Sequence, residues 1–314
     1  MDALPRDPTG GTEWLVVAAS VTGSAHERAG TRCQDRVMWK ADPTAVAVAL
    51  ADGHGSARSP LSHVGAQMAV EVATERLFDL RQCSREQAEQ EASERLPRQL
   101  VGGWREKVDA DRSSEDREPI QYGTTLLAIL ATSEYVLALQ LGDGDILRVR
   151  SDGGVERIIQ RDPALIANET TSLCGENAAQ DVRTAVIPVG DTALILAATD
   201  GYANAFQSDA DFLATGPDYL DRVRARTDTP RASLWGQLIS PVRRVVERFP
   251  GLGRVASGLP GWSRTASEHG SGDDITVALL VRSAALEEEL SVNAEAVASE
   301  AAVDRITQGP SEDG

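Results

Sequence analysis

Acidic residues stand at the ends of several apolar, strand-like segments of the sequence. Asp52, Asp143 and Asp200 each follow such a segment and precede a glycine, whereas Asp273 and Asp274 come directly before one. Aspartate terminates strands well, so a single Asp-Gly after a strand is an ordinary turn. Carboxylates that converge at one rim of a sheet sandwich repel one another, and divalent cations that prefer oxygen ligands neutralise them. The pattern therefore predicts a metal-assisted site.

The segment Ala51-Asp52-Gly53-His54-Gly55 carries further chemistry. Gly53 allows a ligand to approach the backbone closely and leaves its carbonyl free to coordinate. The two oxygens of Asp52 can bridge two ions. His54 is either a general acid, which a poor alkoxide leaving group requires, or a passive turn residue.

Eight short segments rich in apolar and β-branched residues are predicted strands, each bounded by Gly, Asp or Pro. They cover residues 13–22, 45–52, 123–132, 135–143, 145–151, 182–189, 192–200 and 274–283. Helical spacing indicates helices over 59–80 and 84–112. In the second of these, Ser84 and Gln87 form a capping box, and Pro97 and Gly102-Gly103 predict a break or kink.

Helices inserted among strands that otherwise follow one another with short turns predict an α+β fold. We expect a central sandwich of two antiparallel β-sheets flanked by helices, in α-β-β-α order. This domain covers 13–283, after an N-terminal extension over 1–12. Residues 228–272 are rich in Gly, Pro, Ser and Arg and are predicted to be loop-like or to form a mobile cover. Residues 284–314 form an acidic tail, predicted to be a weak helix or disordered.

Composition excludes several classes of protein. The chain has 314 residues, 41% of them apolar, and 31 basic against 48 acidic side chains give a net charge of −17. Such a charge disfavours binding to nucleic acid or to an anionic membrane. The start has no signal-peptide pattern and no apolar run would span a bilayer, so we expect a cytoplasmic protein, and a monomer. Three dispersed cysteines, Cys33, Cys83 and Cys174, are predicted to be reduced thiols.

The motifs together resemble the signature of the metal-dependent type-2C protein phosphatases, the PPM family. The resemblance rests, in chain order, on "GSAHERAGTRCQDR", "ADGHG", "GTT", "LGDGD", "LAATDG" and "GSGDDITVAL". The first of these is similar to the bacterial branch. The match extends from about Glu13 to Ser283, nearly the whole chain without its tail.

The resemblance implies a cleft at one rim of the sandwich with two Mg²⁺ or Mn²⁺ ions, whose shared water attacks phosphorus. Asp52 would bridge both ions and Gly53 would contribute its backbone carbonyl. Asp200 and Asp273 would hold one ion, and Asp35 would serve the other, directly or through water.

Two further positions take a role from the resemblance, and a third departs from it. Asp143 matches the position that helps to bind a third, looser ion in bacterial members. His54 matches the histidine that protonates the leaving seryl or threonyl oxygen. Asp274 departs from the family, since many relatives have asparagine there; its charge either tightens metal binding or is hydrogen-bonded beside the metals.

The sequence also departs from the family at the substrate phosphate. Many members have an arginine five residues before the first acid, Asp35, and here that position is Gly30. Arg32, Arg28 or His26 would substitute for it, or each is a solvated loop residue. Arg32 is favoured because its guanidinium lies close to Asp35 in sequence and can grip two phosphoryl oxygens.

The predicted function is hydrolysis of phosphoserine and phosphothreonine in proteins, the substrates of a serine/threonine kinase. One alternative is an inactive or weak phosphatase-fold regulator that binds phosphoproteins; the retained acids argue against it. Another is a phosphatase of small molecules, which the sequence leaves open. A structural metal protein does not explain His54, and no EF-hand loop is present.

Overall fold

A computed structural model of the chain describes residues 13–112, 118–161, 171–225 and 248–286. These residues form two five-stranded antiparallel sheets. In chain order the strands are β1 (Trp14–Val21), β2 (Arg36–Ala41), β3 (Ala45–Ala51), β4 (Leu126–Thr132), β5 (Tyr135–Leu141), β6 (Asp145–Arg150), β7 (Val155–Arg157), β8 (Arg183–Pro188), β9 (Thr192–Ala198) and β10 (Ile275–Arg282). The first sheet has the order β1-β10-β9-β6-β7 and the second β2-β3-β4-β5-β8.

Helices cover the outer faces of both sheets. They are α1 (Ser24–Ala29), α2 (Ser62–Asp79), α3 (Arg85–Glu94), α4 (Leu96–Asp111), α5 (Ala178–Asp181), α6 (Asp200–Ala203), α7 (Asp209–Arg224) and α8 (Pro250–Ala266). A π-helical turn, Ser267–Ser271, follows α8. Helices α2, α3 and α4 pack on the second sheet, while α7 and α8 pack on the first. The predicted α-β-β-α architecture is confirmed.

Three apolar layers hold these elements together. The middle layer lies between the sheets and includes Trp14, Val48, Ile129 and Leu280. One outer layer joins the second sheet to α2–α4, and the other joins the first sheet to α7 and α8. Strands β3, β4, β5 and β9 are buried along their whole length, which explains why their sequences are continuously apolar rather than alternating.

All eight predicted strands are present, and two further strands, β2 and β7, were not predicted. β2 lies at the edge of its sheet, where only part of each side chain is buried, so its sequence RVMWKA mixes charged and apolar residues. β7 has three residues, too few for a periodic pattern. The capping box of Ser84 and Gln87 is confirmed at the start of α3.

The prediction of a loop over 228–272 is wrong for its second half. Helix α8 occupies Pro250–Ala266, with Pro250 in the first turn, where proline is tolerated. Leu252, Val255 and Leu259 recur at helical spacing and are buried against the first sheet. The high Gly and Pro content concealed that spacing. Residues 228–247 lie outside the described residues.

The break predicted within 84–112 falls at Arg95, between α3 and α4, so that Pro97 stands in the first turn of α4. Gly102 and Gly103 continue α4 instead of ending it. The extension over 1–12 lies outside the described residues, as does the tail from 287. At the start of the predicted tail, Ala285 and Leu286 are buried.

Two expectations from composition have structural counterparts. Cys33, Cys83 and Cys174 are all free thiols, as predicted. Among the helices in the described part of the chain, none combines the length and the apolar character that crossing a membrane requires.

Candidate active site

Strand ends from both sheets meet at one rim of the sandwich and bring the predicted carboxylates there. Asp35 directly precedes β2 and Asp52 directly follows β3, and these strands are antiparallel neighbours with Arg36 opposite Ala51. In the other sheet Asp200 follows β9 and Asp273 precedes β10, which pair in the same manner. Each sheet thus contributes two carboxylates to the rim.

One hydrogen bond joins the two sheets at this rim. The Thr199 hydroxyl donates to Asp35 Oδ2 at 2.8 Å, and it also accepts from the backbone N–H of Thr276 at 3.0 Å. Asp35 is 1% exposed, so this bond partly compensates for its burial. Sequence reasoning missed Thr199, although its place just before Asp200 was a usable signal.

The rim carboxylates destabilise one another's charged forms. Burial raises the pKa of Asp52 well above its usual range, and the charges of Asp35 and Asp200 raise it further. The carboxyl groups of Asp52 and Asp200 lie close enough for each to affect the pKa of the other. Burial is also the largest cause that raises the pKa of Asp200 and of Asp273.

The pKa of the Asp35 carboxyl group is raised as well. Burial, followed by the charge of Asp274, raises its pKa from 3.8 to about 8, although hydrogen bonds from Thr199 and Thr276 oppose the shift. A partly buried cluster that resists ionisation is the environment that a divalent cation would relieve, because the cation stabilises every carboxylate at once.

Two unsatisfied atoms show that this cluster fits a hard cation. Asp35 Oδ1 and Asp200 Oδ1 are buried, and neither has a hydrogen-bond partner in the described structure. Oxygen-only donors suit Mg²⁺ or Mn²⁺. Over the described ranges, no three His, Cys, Asp or Glu side chains already form a cage around a common point.

The turn after Asp52 is fixed by the start of β4. The backbone N–H of His54 donates to the Gly123 carbonyl at 3.0 Å, and that of Thr125 donates to the Asp52 carbonyl at 2.8 Å. This ladder does not use the carbonyl of Gly53, which suits its predicted role as a ligand. A Cβ at Gly53 would lie 2.9 Å from the Gln34 carbonyl oxygen, so the glycine is required for close packing.

His54 lies partly buried over Gly123. A Cβ at Gly123 would come within 2.6 Å of His54 Cδ2, so the imidazole occupies the space that glycine leaves. Burial lowers the pKa of His54, and the charge of Asp143 opposes that shift. The structure therefore places a half-buried imidazole beside the carboxylate cluster, with Asp143 close enough to affect it.

The turn Leu141-Gly142-Asp143-Gly144-Asp145 contains two acids that differ in environment. Asp143 is exposed, and its charge raises the pKa of both Asp200 and Asp273. Asp145 is buried and forms ion pairs with Arg157 at 2.5 Å and Arg161 at 2.6 Å. Asp143 alone is thus available at the rim, whereas Asp145 holds the turn in place.

The segment before Asp35 is attached to the rim through Asp274. This buried carboxylate accepts hydrogen bonds from the backbone N–H groups of Gly23 and Gln34, each at 2.6 Å. His26 Nδ1 lies 2.9 Å from Asp274 Oδ1. Of the two possibilities for Asp274, the structure shows the second: it is hydrogen-bonded beside the cluster.

The candidates for binding phosphate occupy different places. His26 faces the rim, because its Nε2 would lie 3.9 Å from a Cβ at Gly55 and its charge affects the pKa of Asp273. Arg32 is exposed, and its charge lowers the pKa of His63 in α2. Arg28 is also exposed, with its guanidinium 3.4 Å from the Ser24 hydroxyl. Gly30 ends α1 in the left-handed region, with φ at +68°, which explains a glycine at that position.

A two-sheet sandwich with helices on both outer faces is the fold of PP2C-type phosphatases. A family model described as Protein phosphatase 2C matches residues 22–238, which is most of the chain. The chain belongs to this protein phosphatase 2C family. The matched range includes Asp35, Asp52 and Asp200 and ends before Asp273.

Solved structures show the same fold at low sequence identity. Stp1, a serine/threonine phosphatase from Staphylococcus aureus, is 14% identical with a TM-score of 0.54, covering 88% of this chain and 98% of that one. A bacterial serine phosphatase is 13% identical with a TM-score of 0.55, covering 85% and 97%. A sex-determining protein of C. elegans is 15% identical with a TM-score of 0.52, covering 87% and 65%. No curated protein matches the sequence significantly.

Proposed function

We propose that this protein is a metal-dependent phosphatase that hydrolyses phosphoserine and phosphothreonine in other proteins. Membership of the protein phosphatase 2C family supports phosphatase chemistry. The observation that carries the proposal is the cluster of Asp35, Asp52, Asp200 and Asp273, with raised pKa values and two buried carboxylate oxygens that lack a donor. A purely structural role gives no reason to keep such an unfavourable cluster.

The chain's own residues take defined roles in this proposal. Asp52 and the Gly53 carbonyl would serve both of two Mg²⁺ or Mn²⁺ ions, Asp200 and Asp273 would hold one of them, and Asp35 would hold the other. When bound, the ions supply an activated water and screen the charge of the phosphoryl group. Asp143 would help to hold a third, looser ion.

The remaining steps concern the substrate. His54 donates a proton to the departing seryl or threonyl oxygen, and the burial that lowers its pKa makes the imidazolium a readier donor. His26, held beside Asp274, orients the phosphoryl group in the place of the arginine that is absent at Gly30. We further propose that the protein acts as a cytoplasmic monomer on the products of a serine/threonine kinase.

The deciding experiment is a Mn²⁺-dependent assay on p-nitrophenyl phosphate, on phosphoserine and phosphothreonine peptides, and on a panel of small phosphorylated metabolites. The proposal expects metal-dependent release of phosphate from the peptides. Binding of phosphopeptides without turnover would indicate an inactive regulator. Activity that is confined to metabolites would indicate a small-molecule phosphatase.

A further inference from the structure

A second concave site lies on the outer side of the first sheet, between α6, α7, α8 and the π-helical turn. It is a cavity of about 380 Å³, within the range of small-molecule sites. Four aromatic side chains line it: Tyr202, Phe206, Tyr219 and Trp262. The chain has only four Phe, five Trp and four Tyr, so their concentration around one cavity is unusual.

The floor of the cavity is preformed. The hydroxyl groups of Tyr202 and Tyr219 are hydrogen-bonded to each other at 3.1 Å, and both residues are buried, so they form the base of the cavity. Phe206 meets Tyr202 edge-on with a centroid distance of 5.1 Å. These contacts fix the ring positions, and a ligand would bind without the cost of ordering them.

Trp262 forms the outer wall and is held against its own helix. A Cβ at Gly258, one turn earlier in α8, would lie 2.5 Å from Trp262 Cζ2, so the indole rests in the space that this glycine leaves. The side chain is nevertheless 36% exposed, among the most exposed large apolar residues of the described structure. A fixed and exposed indole at the mouth of an aromatic cavity offers a surface for a planar ring to stack on.

The mouth of this second cavity carries both acidic and basic side chains. Asp218 and Arg222 stand one helical turn apart on α7, and their charges affect the pKa of Tyr219 in opposite directions. The Arg222 guanidinium lies 4.8 Å from the Trp262 ring centroid. His269 Nδ1 is 3.0 Å from the Thr265 carbonyl oxygen, which leaves its other ring nitrogen for a ligand. Paired opposite charges favour a neutral ligand that presents both donors and acceptors along its edge.

We propose that this cavity binds a neutral planar heteroaromatic molecule of the purine base or nucleoside type. The ring would lie against Phe206 and the part of Trp262 that the Arg222 guanidinium leaves exposed, while its polar edge would meet Asp218 and Arg222. The net charge of −17 disfavours an anionic ligand. None of the carboxylates assigned to metal lines the cavity, so this site does not depend on the proposed phosphatase activity.

The test is titration of the full-length protein with adenosine, followed by calorimetry and by tryptophan fluorescence, without metal or substrate. We expect saturable binding. Trp262→Ala should weaken it by about tenfold or more, which is the usual worth of a base stacked on an aromatic ring. Arg222→Gln should weaken it as well, and this exposed rim residue can be changed without disturbing the core.

Met38→Ala is the matched control, because Met38 is similarly exposed but lies on β2, in the opposite sheet. This variant should bind adenosine like the wild type. Absence of saturable binding at millimolar adenosine would overturn the proposal, as would unchanged affinity in folded Trp262→Ala and Arg222→Gln. Equal binding of ribose alone, or tighter binding of benzoate, would equally overturn it, since the first needs no ring and the second is an anion.

Discussion

His26 Nδ1 lies 2.9 Å from Asp274 Oδ1, and this contact joins a helix near the start of the chain to the loop that precedes the last strand of the first sheet. Asp274 is buried and also holds the backbone N–H groups of Gly23 and Gln34. The imidazole therefore lies at the rim, where an arginine five residues before Asp35 is missing, although its Nδ1 forms no hydrogen bond with Asp274 in this geometry.

Because of this contact we expect His26, and not Arg32, to bind the substrate phosphate. His26→Ala should raise KM for a phosphopeptide by roughly tenfold, the worth of one charge-assisted hydrogen bond, while Mn²⁺ affinity stays almost unchanged. Arg32→Ala is the matched comparison from the same segment and should have a smaller effect, since Arg32 is exposed. Steady-state kinetics of both variants decide the matter, and a large rise in KM for Arg32→Ala alone would return the role to the arginine.

If His54 is the general acid, its loss should slow hydrolysis more for a poor leaving group than for a good one. His54→Ala should slow phosphate release from a phosphoserine peptide by about 10²-fold or more, but should slow p-nitrophenyl phosphate hydrolysis far less, because nitrophenolate leaves without a proton. The measurement is kcat on both substrates at saturating Mn²⁺. Equal losses on the two would remove the general-acid role.

Because His54 packs over Gly123, a substitution at Gly123 provides a second test of the role of His54. Gly123→Ala places a methyl group 2.6 Å from His54 Cδ2, so the imidazole must move. We expect the same selective loss on peptides as for His54→Ala. Gly102→Ala is the control, because the new methyl would have no neighbour within 4 Å, and alanine within α4 should be neutral or stabilising. A fully active Gly123→Ala enzyme would show that the position of the imidazole is unimportant.

The raised pKa of Asp35 predicts how the metal-free protein responds to pH. The folded state holds a proton on Asp35 up to about pH 8, whereas the unfolded chain releases it near 3.8. Stability from this group is therefore fully present below the unfolded pKa and is lost as pH rises through the folded pKa. With chelator present, the free energy of unfolding should fall between pH 5 and 8, by at most about 1.4 kcal/mol per pH unit from this group.

Asp35→Asn removes the titrating group while conserving its volume. The variant should lose the share of that pH dependence which Asp35 contributes, whereas Asp221→Asn, at an exposed position of α7, should keep all of it in chemical denaturation. Added Mg²⁺ should stabilise the wild type most at pH 8, where the proton no longer compensates for burial. A metal-free wild type that gains stability from pH 5 to 8 would contradict the electrostatic account of the rim.

Much of the fold follows from local sequence patterns. Runs such as 45–51 and 192–198 are apolar throughout because both faces of their strands are covered, and each ends at a carboxylate that terminates it. Since neighbouring antiparallel strands bring ends and starts to one rim, the convergence of Asp52, Asp200 and Asp273 was predictable, whereas Asp35 precedes β2, a strand that the local pattern did not predict.

Other features depend on contacts between distant segments, which local patterns do not encode. The pairing of His26 with Asp274 joins the two ends of the domain, and Thr199 reaches Asp35 across the two sheets. Helix α8 was missed for a different reason. Its glycines and prolines are typical of loops, yet Gly251 is needed there, because a Cβ would lie 2.2 Å from the Val223 carbonyl oxygen where the helix begins against α7.

The central claim is that the rim carboxylates form a metal centre which performs hydrolysis, and Asp52 tests it most directly. Calorimetric titration with Mn²⁺, run beside a phosphopeptide assay, should show metal binding and turnover in the wild type. In Asp52→Asn, turnover should be abolished and Mn²⁺ affinity weakened, while the metal-free variant stays folded and is no less stable, because one charge has left a repelling cluster. If purified Asp52→Asn keeps wild-type turnover at saturating Mn²⁺, the account of this site is wrong.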